Sequence, residues 1–229
     1  MKLTADQITE IKAFISKRGF TYPDVQLEII DHVASRVEEL MSNDHTLTLH
    51  QAISITHGEF GIMGFSVFED SMISSLQKRF FKLFISIFSS YFHWKYLPAI
   101  AASVYLIDRF YVAINNPGYF VAGVFMALLI TLVATGITYE VKYKKYNKML
   151  TMRMGNSYVV ICAVIYNLWN ITLNQFKLYQ KLSVSTAGLI FGVLIVLIIL
   201  LFLVVDKLRK ITISNCIELD EKYNLLSSL

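Results

Sequence analysis

Hydrophobic and polar positions alternate in two distinct ways along this chain. Up to about Arg79, apolar residues recur at helical spacing between charged ones. After about Leu97 they merge into long runs with few charges.

The first regime predicts four helices. Thr4 and Gln7 have capping-box spacing, Ile8, Ile11 and Ile15 share a face, and Gly19 offers a stop, so a helix is expected over Thr4–Arg18. Thr21 and Pro23 fit the start of a second, because proline has no amide proton to leave unpaired in a first turn. Val25, Ile29, Ile30, Val33, Val37, Leu40 and Met41 form its apolar stripe, and Ser42-Asn43-Asp44 ends it. Glu28, Asp31, Ser35 and Glu38 fall on the opposite face, a candidate interaction surface for a basic partner. A third helix opens at Thr48 with Gln51 as capping partner, and Leu49, Ala52, Ile53, Thr56 and Phe60 face one way; Gly58 and Gly61 loosen its end. A fourth begins near Gly64, with Phe65, Phe68, Met72, Leu76, Leu83 and Ile87 in line and Lys78, Arg79 and Lys82 beside them. One such helix cannot support itself in water, but several share a core. Residues 1–79 are therefore expected to form a cytosolic helical domain, followed by a juxtamembrane or interfacial helix over 80–96, rich in aromatics.

The second regime predicts four membrane spans near Leu97–Ile114, Tyr119–Tyr139, Asn156–Asn174 and Val184–Val205. Each is close to the ~20 residues needed to cross the hydrocarbon. The expected fold class is all-α: a small cytosolic bundle, a four-helix transmembrane domain over 97–205, and a cytosolic tail over 206–229.

Composition sharpens this picture. Of 229 residues, 55% are hydrophobic and only 17% charged, where a soluble domain carries about a quarter charged. The mean hydropathy is +0.52. The net charge of +4 sits mostly beside the apolar runs and is assigned to topology rather than to nucleic acid, since no basic stripe with interleaved aromatics occurs. The connection Asn115-Asn116-Pro117-Gly118 is uncharged, whereas 141–155 carries Lys142, Lys144, Lys145, Lys148 and Arg153. With the tail's Lys207, Arg209 and Lys210, this places both termini in the cytosol of a multi-pass protein of the cytoplasmic (inner) membrane; Lys177 and Lys181 run against the bias. The first residues lack the apolar core of a signal peptide, so insertion through the first span is expected. Cys162 lies in a span and Cys216 in the tail, which argues against a disulfide between them.

Candidate chemistry is sparse. No HExxH, Cys-x-x-Cys, phosphate-binding loop, nucleophile elbow or dinucleotide fingerprint occurs. No catalytic residue, metal ligand or cofactor is therefore expected. His32 follows Asp31, but adjacent helical residues point about 100° apart. It is expected half-buried at the border of the apolar stripe, holding a helix terminus or a polar neighbour, or touching a partner protein. In the spans, Asp108 and Arg109 are costly charges, and Asn167, Asn170 and Asn174 share a helical face with Asn156. Asp108, Arg109, Asn167, Asn170 and Asn174 form a candidate polar cluster, read either as interhelical hydrogen bonds or as a ligand site. Thr131, Thr135 and Thr138 are expected to bond back to their own helix. Gly188 and Gly192 have the spacing that permits close helix approach, within one chain or in a homo-oligomer.

The stretches TYPDVQLEIIDHVASRVEELM and LTLHQAISITHGEFGIMGF resemble the HAAS domain, a helical module that precedes transmembrane segments in bacterial proteins associated with PadR-type regulators. The likeness extends to membrane proteins of Bacteroidota that begin with this module. It rests on Tyr22, Asp24, Leu27-Glu28, Asp31-His32, Val37-Glu38-Glu39, Ala52 and Phe60-Gly61, over about the first third of the chain. Asn43-Asp44-His45 departs from the usual small turn residue. The resemblance implies a tethered interaction or signalling module without catalytic residues. The expected function is a membrane-anchored signalling or regulatory adaptor. Its partners are the lipid bilayer and a protein at the cytosolic domain. The alternative is a small transporter or permease subunit using the polar intramembrane site.

Overall fold

A computed structural model describes residues 2–17, 22–60, 66–174 and 182–228, with side chains throughout these except 172–174 and 223–228. The described residues are helical, with no strand among them. The helices are α1 (Ala5–Ser16), α2 (Pro23–Asn43), α3 (Leu49–Glu59), α4 (Ser66–Ser90), α5 (Leu97–Ala113), α6 (Pro117–Lys142), α7 (Leu150–Asn174) and α8 (Val184–Ser228), with a 3₁₀ turn over Lys144–Lys148. They divide into two compact units: residues 1–80, 145–154 and 211–229 in the first, 81–144 and 155–210 in the second.

The first unit follows from its caps and stripes. Thr4 and Thr48 each accept from the amide three residues on and complete capping boxes with Gln7 and Gln51. Pro23 opens α2 behind an extended Tyr22. Gly19, Thr21, Gly61, Gly64 and Phe65 lie outside the described residues. α2 packs against both α1 and α3. Ile11, Ile15, Val25, Ile29, Val33, Val37 and Ala52 are buried there.

Across α2 and α3, Arg36 clamps Glu59 through Nε to Oε2 at 2.9 Å and Nη2 to Oε1 at 2.7 Å, and reaches Glu39 at 2.7 Å. Hydrogen bonding by Arg36 holds the Glu59 carboxyl below its ordinary value. A depressed folded value stabilises above the ordinary carboxylate range, and that contribution is lost as pH falls through the depressed value. The difference in melting midpoint between wild type and Glu59→Gln is therefore expected to be largest near neutrality and to fade on acidification to about pH 3. A difference that stays flat or grows in acid would disprove the linkage.

The second unit is built around Phe191, whose ring lies 5.7 Å from Tyr111, 5.8 Å from Phe120 and 6.4 Å from Phe125. Tyr166, buried in the same cluster, donates its hydroxyl to the Phe125 carbonyl at 2.6 Å. That bond satisfies a polar atom that burial would otherwise penalise. Thr131, Thr135 and Thr138 bond back to their own helix.

Among the described residues two helices, not four, are long and apolar enough to cross a membrane: Pro117–Lys142 and Val184–Lys222. Of the four expected spans over 97–205, the first and third do not reach that mark. α5 has 17 residues and carries Asp108 and Arg109. α7 is diluted by Asn156, Tyr158, Tyr166, Asn167 and Asn170. Only 11% of the apolar window of α6 is buried, unlike the core helix of a soluble protein; Met126, Ile130, Ile137 and Val141 all point outward.

The aromatic segment expected as a helix over 80–96 is the end of α4 as far as Ser90, and turns fill 91–96 before α5. The expected tail over 206–229 is helical, because α8 runs on to Ser228. No glycine or proline interrupts 206–228, and Asp206–Lys210 and Glu218–Lys222 add ion pairs one turn apart.

Candidate functional site

One densely bonded polar group of the first unit entered the sequence reading only as part of the resemblance. Asp24, in the first turn of α2, is only 2% exposed. Its Oδ1 accepts from Leu150 N at 3.0 Å and Val25 N at 3.2 Å, and its Oδ2 accepts from Thr151 N and Thr151 Oγ1, both at 2.8 Å. Leu150 and Thr151 open α7, where backbone amides have no carbonyl one turn back to donate to. A carboxylate at that place satisfies them and opposes the positive end of the helix dipole. Asp24 thus caps a helix 126 residues away. Beside it the Arg153 guanidinium donates to the Tyr22 hydroxyl and lies 5.5 Å from the Tyr22 ring centre. Tyr22 and Asp24 belong to the motif that carries the resemblance, but its pattern does not disclose their partners.

The predicted interaction face also falls in this unit. Glu28, Asp31, Ser35 and Glu38 line one depression of about 640 Å³. Its apolar lining comes from Ile8, Leu27, Ile30, Ala34 and Leu219, and Lys222 stands at one side. Glu38 accepts from Leu3 N at 2.9 Å. Lys222 pairs with Glu218 at 3.0 Å. His32 is half-exposed, 3.4 Å from Glu28 and 5.0 Å from the Phe68 ring centre. Its neighbour is therefore the glutamate one turn back, not Asp31.

Of the predicted polar cluster in the second unit, the described contacts join Asp108 to Arg109 and Asn167 to its own helix. Asp108 and Arg109 do meet, through Oδ2 and Nη2 at 2.6 Å. Asp108 is 4% exposed, and its Oδ1 has no hydrogen-bond partner among the described residues. That oxygen faces α8 at Gly188, where an added Cβ would lie 2.5 Å away. Gly192, one turn on, faces the Val104 carbonyl at 2.9 Å from where its Cβ would be. The two glycines let α5 and α8 approach closely. Asn167 is exposed and donates to its own helix at Ala163 O, 2.8 Å away. Asn170 is half-buried. The Asn174 side chain lies outside the described residues.

A second polar constellation of this unit escaped sequence reading. Tyr139 donates its hydroxyl to Asp206 Oδ1 at 2.7 Å, Asp206 pairs with Lys210 at 2.7 Å, and Arg209 lies 5.0 Å from the Tyr139 ring centre. It pins the last turns of α6 to α8. The only signal available was charge beginning at Asp206 where the apolar run stops.

Among the described residues, no three histidine, cysteine or acidic side chains are grouped to hold a metal ion. No protein-family model, curated protein or solved structure matches the chain.

Proposed function

We propose that this chain is a membrane-anchored signalling or regulatory adaptor whose HAAS-like N-terminal helices bind a protein in the cytosol. It performs no catalysis in this reading. In the same reading α6 and α8 lie in the cytoplasmic membrane, with the 141–155 connection on the cytosolic side. The observation that carries the reading is the Asp24 cap. α2 presents the acidic face at Glu28, Asp31, Ser35 and Glu38, and its first turn holds the opening turn of α7. α7 continues unbroken to Asn174, as one helix. A partner on α2 would therefore bear on the element whose first turn holds the opening turn of α7. The outward apolar side chains of α6 support the membrane placement.

Two experiments test this. A photo-crosslinking side chain is placed in turn at exposed positions of α1 to α3 in the full chain in native membranes. Protein adducts concentrated around Ser35 are expected; no adduct at any position sinks the adaptor reading. For topology, single cysteines at Asn116 and Asn147 are treated with a membrane-impermeant reagent. Asn116 is expected to label from outside, and labelling of Asn147 from outside would reverse the orientation.

A second reading is favoured by one observation, the buried Oδ1 of Asp108, unpartnered among the described residues. In a small transporter that carboxylate lies on the pathway. Such a protein would lose its cellular phenotype on Asp108→Asn and tolerate charge reversal on α2. The adaptor reading expects the opposite ordering.

A further inference from the structure

The depression beside α2 has two chemistries in one place. Its floor is aliphatic, with Leu27 and Ala34 of α2 flanked by Ile8 of α1 and Leu219 of α8. Its α2 side is acidic, with Glu28, Asp31 and Glu38 spaced three and seven residues apart. Those carboxylates therefore run along one line, roughly 15 Å long at 1.5 Å per residue. Among the described residues that line it, Lys222 is the one cation, and it is paired with Glu218 on its own helix.

We propose that this depression is a groove for an amphipathic basic helix of a partner protein. Aliphatic side chains on one face of that helix enter the groove, and lysines or arginines spaced three to four residues apart meet Glu28, Asp31 and Glu38. This rests on the adaptor reading and specifies its partner's chemistry. Charge complementarity selects the occupant. An acidic or neutral segment leaves the exposed Glu28 and Asp31 facing like charge or no added cation, which costs affinity and encounter rate. The volume of about 640 Å³ suits a few anchoring side chains with the helix backbone above them. Two to three turns of an incoming helix match the length of the acidic line. Because Glu28 and Asp31 are exposed, the electrostatic part of binding is screened by salt, while the aliphatic part is not.

The full chain in phosphatidylcholine nanodiscs provides the test. The probe is a fluorescein-labelled 14-residue helix of leucine and lysine with its leucines on one face, and empty discs report what binds lipid alone. Anisotropy is expected to show saturable binding above the empty-disc signal, weakening as salt rises. Glu28→Lys with Asp31→Lys is expected to weaken it roughly tenfold. Ala34→Trp, which fills the floor, is expected to abolish it with the melting midpoint retained. Should Ala34→Trp perturb folding, the charge-reversed protein still decides, since both of its changes lie at exposed positions. Equal binding to wild-type and charge-reversed protein, binding no stronger than to empty discs, or equally tight binding of a leucine–glutamate isomer would each overturn the groove. Crosslinks elsewhere on α1 to α3 would leave the adaptor reading standing in any of those cases.

Discussion

Replacing Asp24 with alanine is expected to destabilise the first unit by about 3 kcal/mol. The change strands four donors, the amides of Val25, Leu150 and Thr151 and the Thr151 hydroxyl, among residues no more than 2% exposed. Each buried orphan costs about 1–3 kcal/mol, and loss of a helix cap alone about 0.5–2 kcal/mol. Water entering the space left by the carboxylate offsets part of that sum. Asp24→Asn retains one acceptor oxygen but turns an NH₂ toward amides that also donate, so it falls between wild type and alanine. Hydrogen exchange at Leu150 and Thr151 in the full chain reads the effect where it arises, as protection lost by about a hundredfold. Protection of both amides within about threefold of wild type would show that the cap is not what holds α7.

The same residue shows how far the sequence carried. α1 and α3 were legible almost to the residue, because a capping box is a local device: Thr4 with Gln7 and Thr48 with Gln51 sit three apart. The stripe of α2 was legible for the same reason, and Glu28, Asp31, Ser35 and Glu38 do share one depression. Asp24 was not. An acidic residue after Pro23 reads as an ordinary first-turn helix residue, and nothing local announces a partner 126 positions on. The partners of the asparagine face were not legible either, since a shared helical face fixes direction but not neighbour, and Asn167 donates to its own backbone. Span counting from hydropathy placed the apolar runs well yet counted four, because α5 and α7 have polar residues that shorten or dilute them. The continuation of α8 past Val205 was visible as an absence of helix breakers, overridden in reading by the change in hydropathy.

In α8, Gly192→Ala is expected to cost more than Gly188→Ala, although an isolated helix gains about 1 kcal/mol from either change. The neighbour decides the difference. At 192 the new Cβ would lie 2.9 Å from the Val104 carbonyl oxygen and 3.3 Å from its Cγ1. That oxygen is backbone and moves only with α5, so the helices must part along their crossing and loosen the packing around Phe191 and Ile195. Overpacking of this kind costs about 1–3 kcal/mol. At 188 the Cβ would meet Asp108 Oδ1 at 2.5 Å and Tyr111 Cδ1 at 3.1 Å. A carboxylate can rotate, but doing so disturbs its bond to Arg109. Asp108→Ala removes that obstacle. In the Asp108→Ala background Gly188→Ala is therefore expected to become nearly neutral, whereas Gly192→Ala keeps its full cost. Melting midpoints of the four proteins in each cycle, in one detergent, supply the coupling. Additivity of Gly188→Ala with Asp108→Ala would mean that the buried oxygen does not set the spacing of α5 and α8. Rescue of Gly192→Ala by Asp108→Ala would place the steric limit one turn away from Val104.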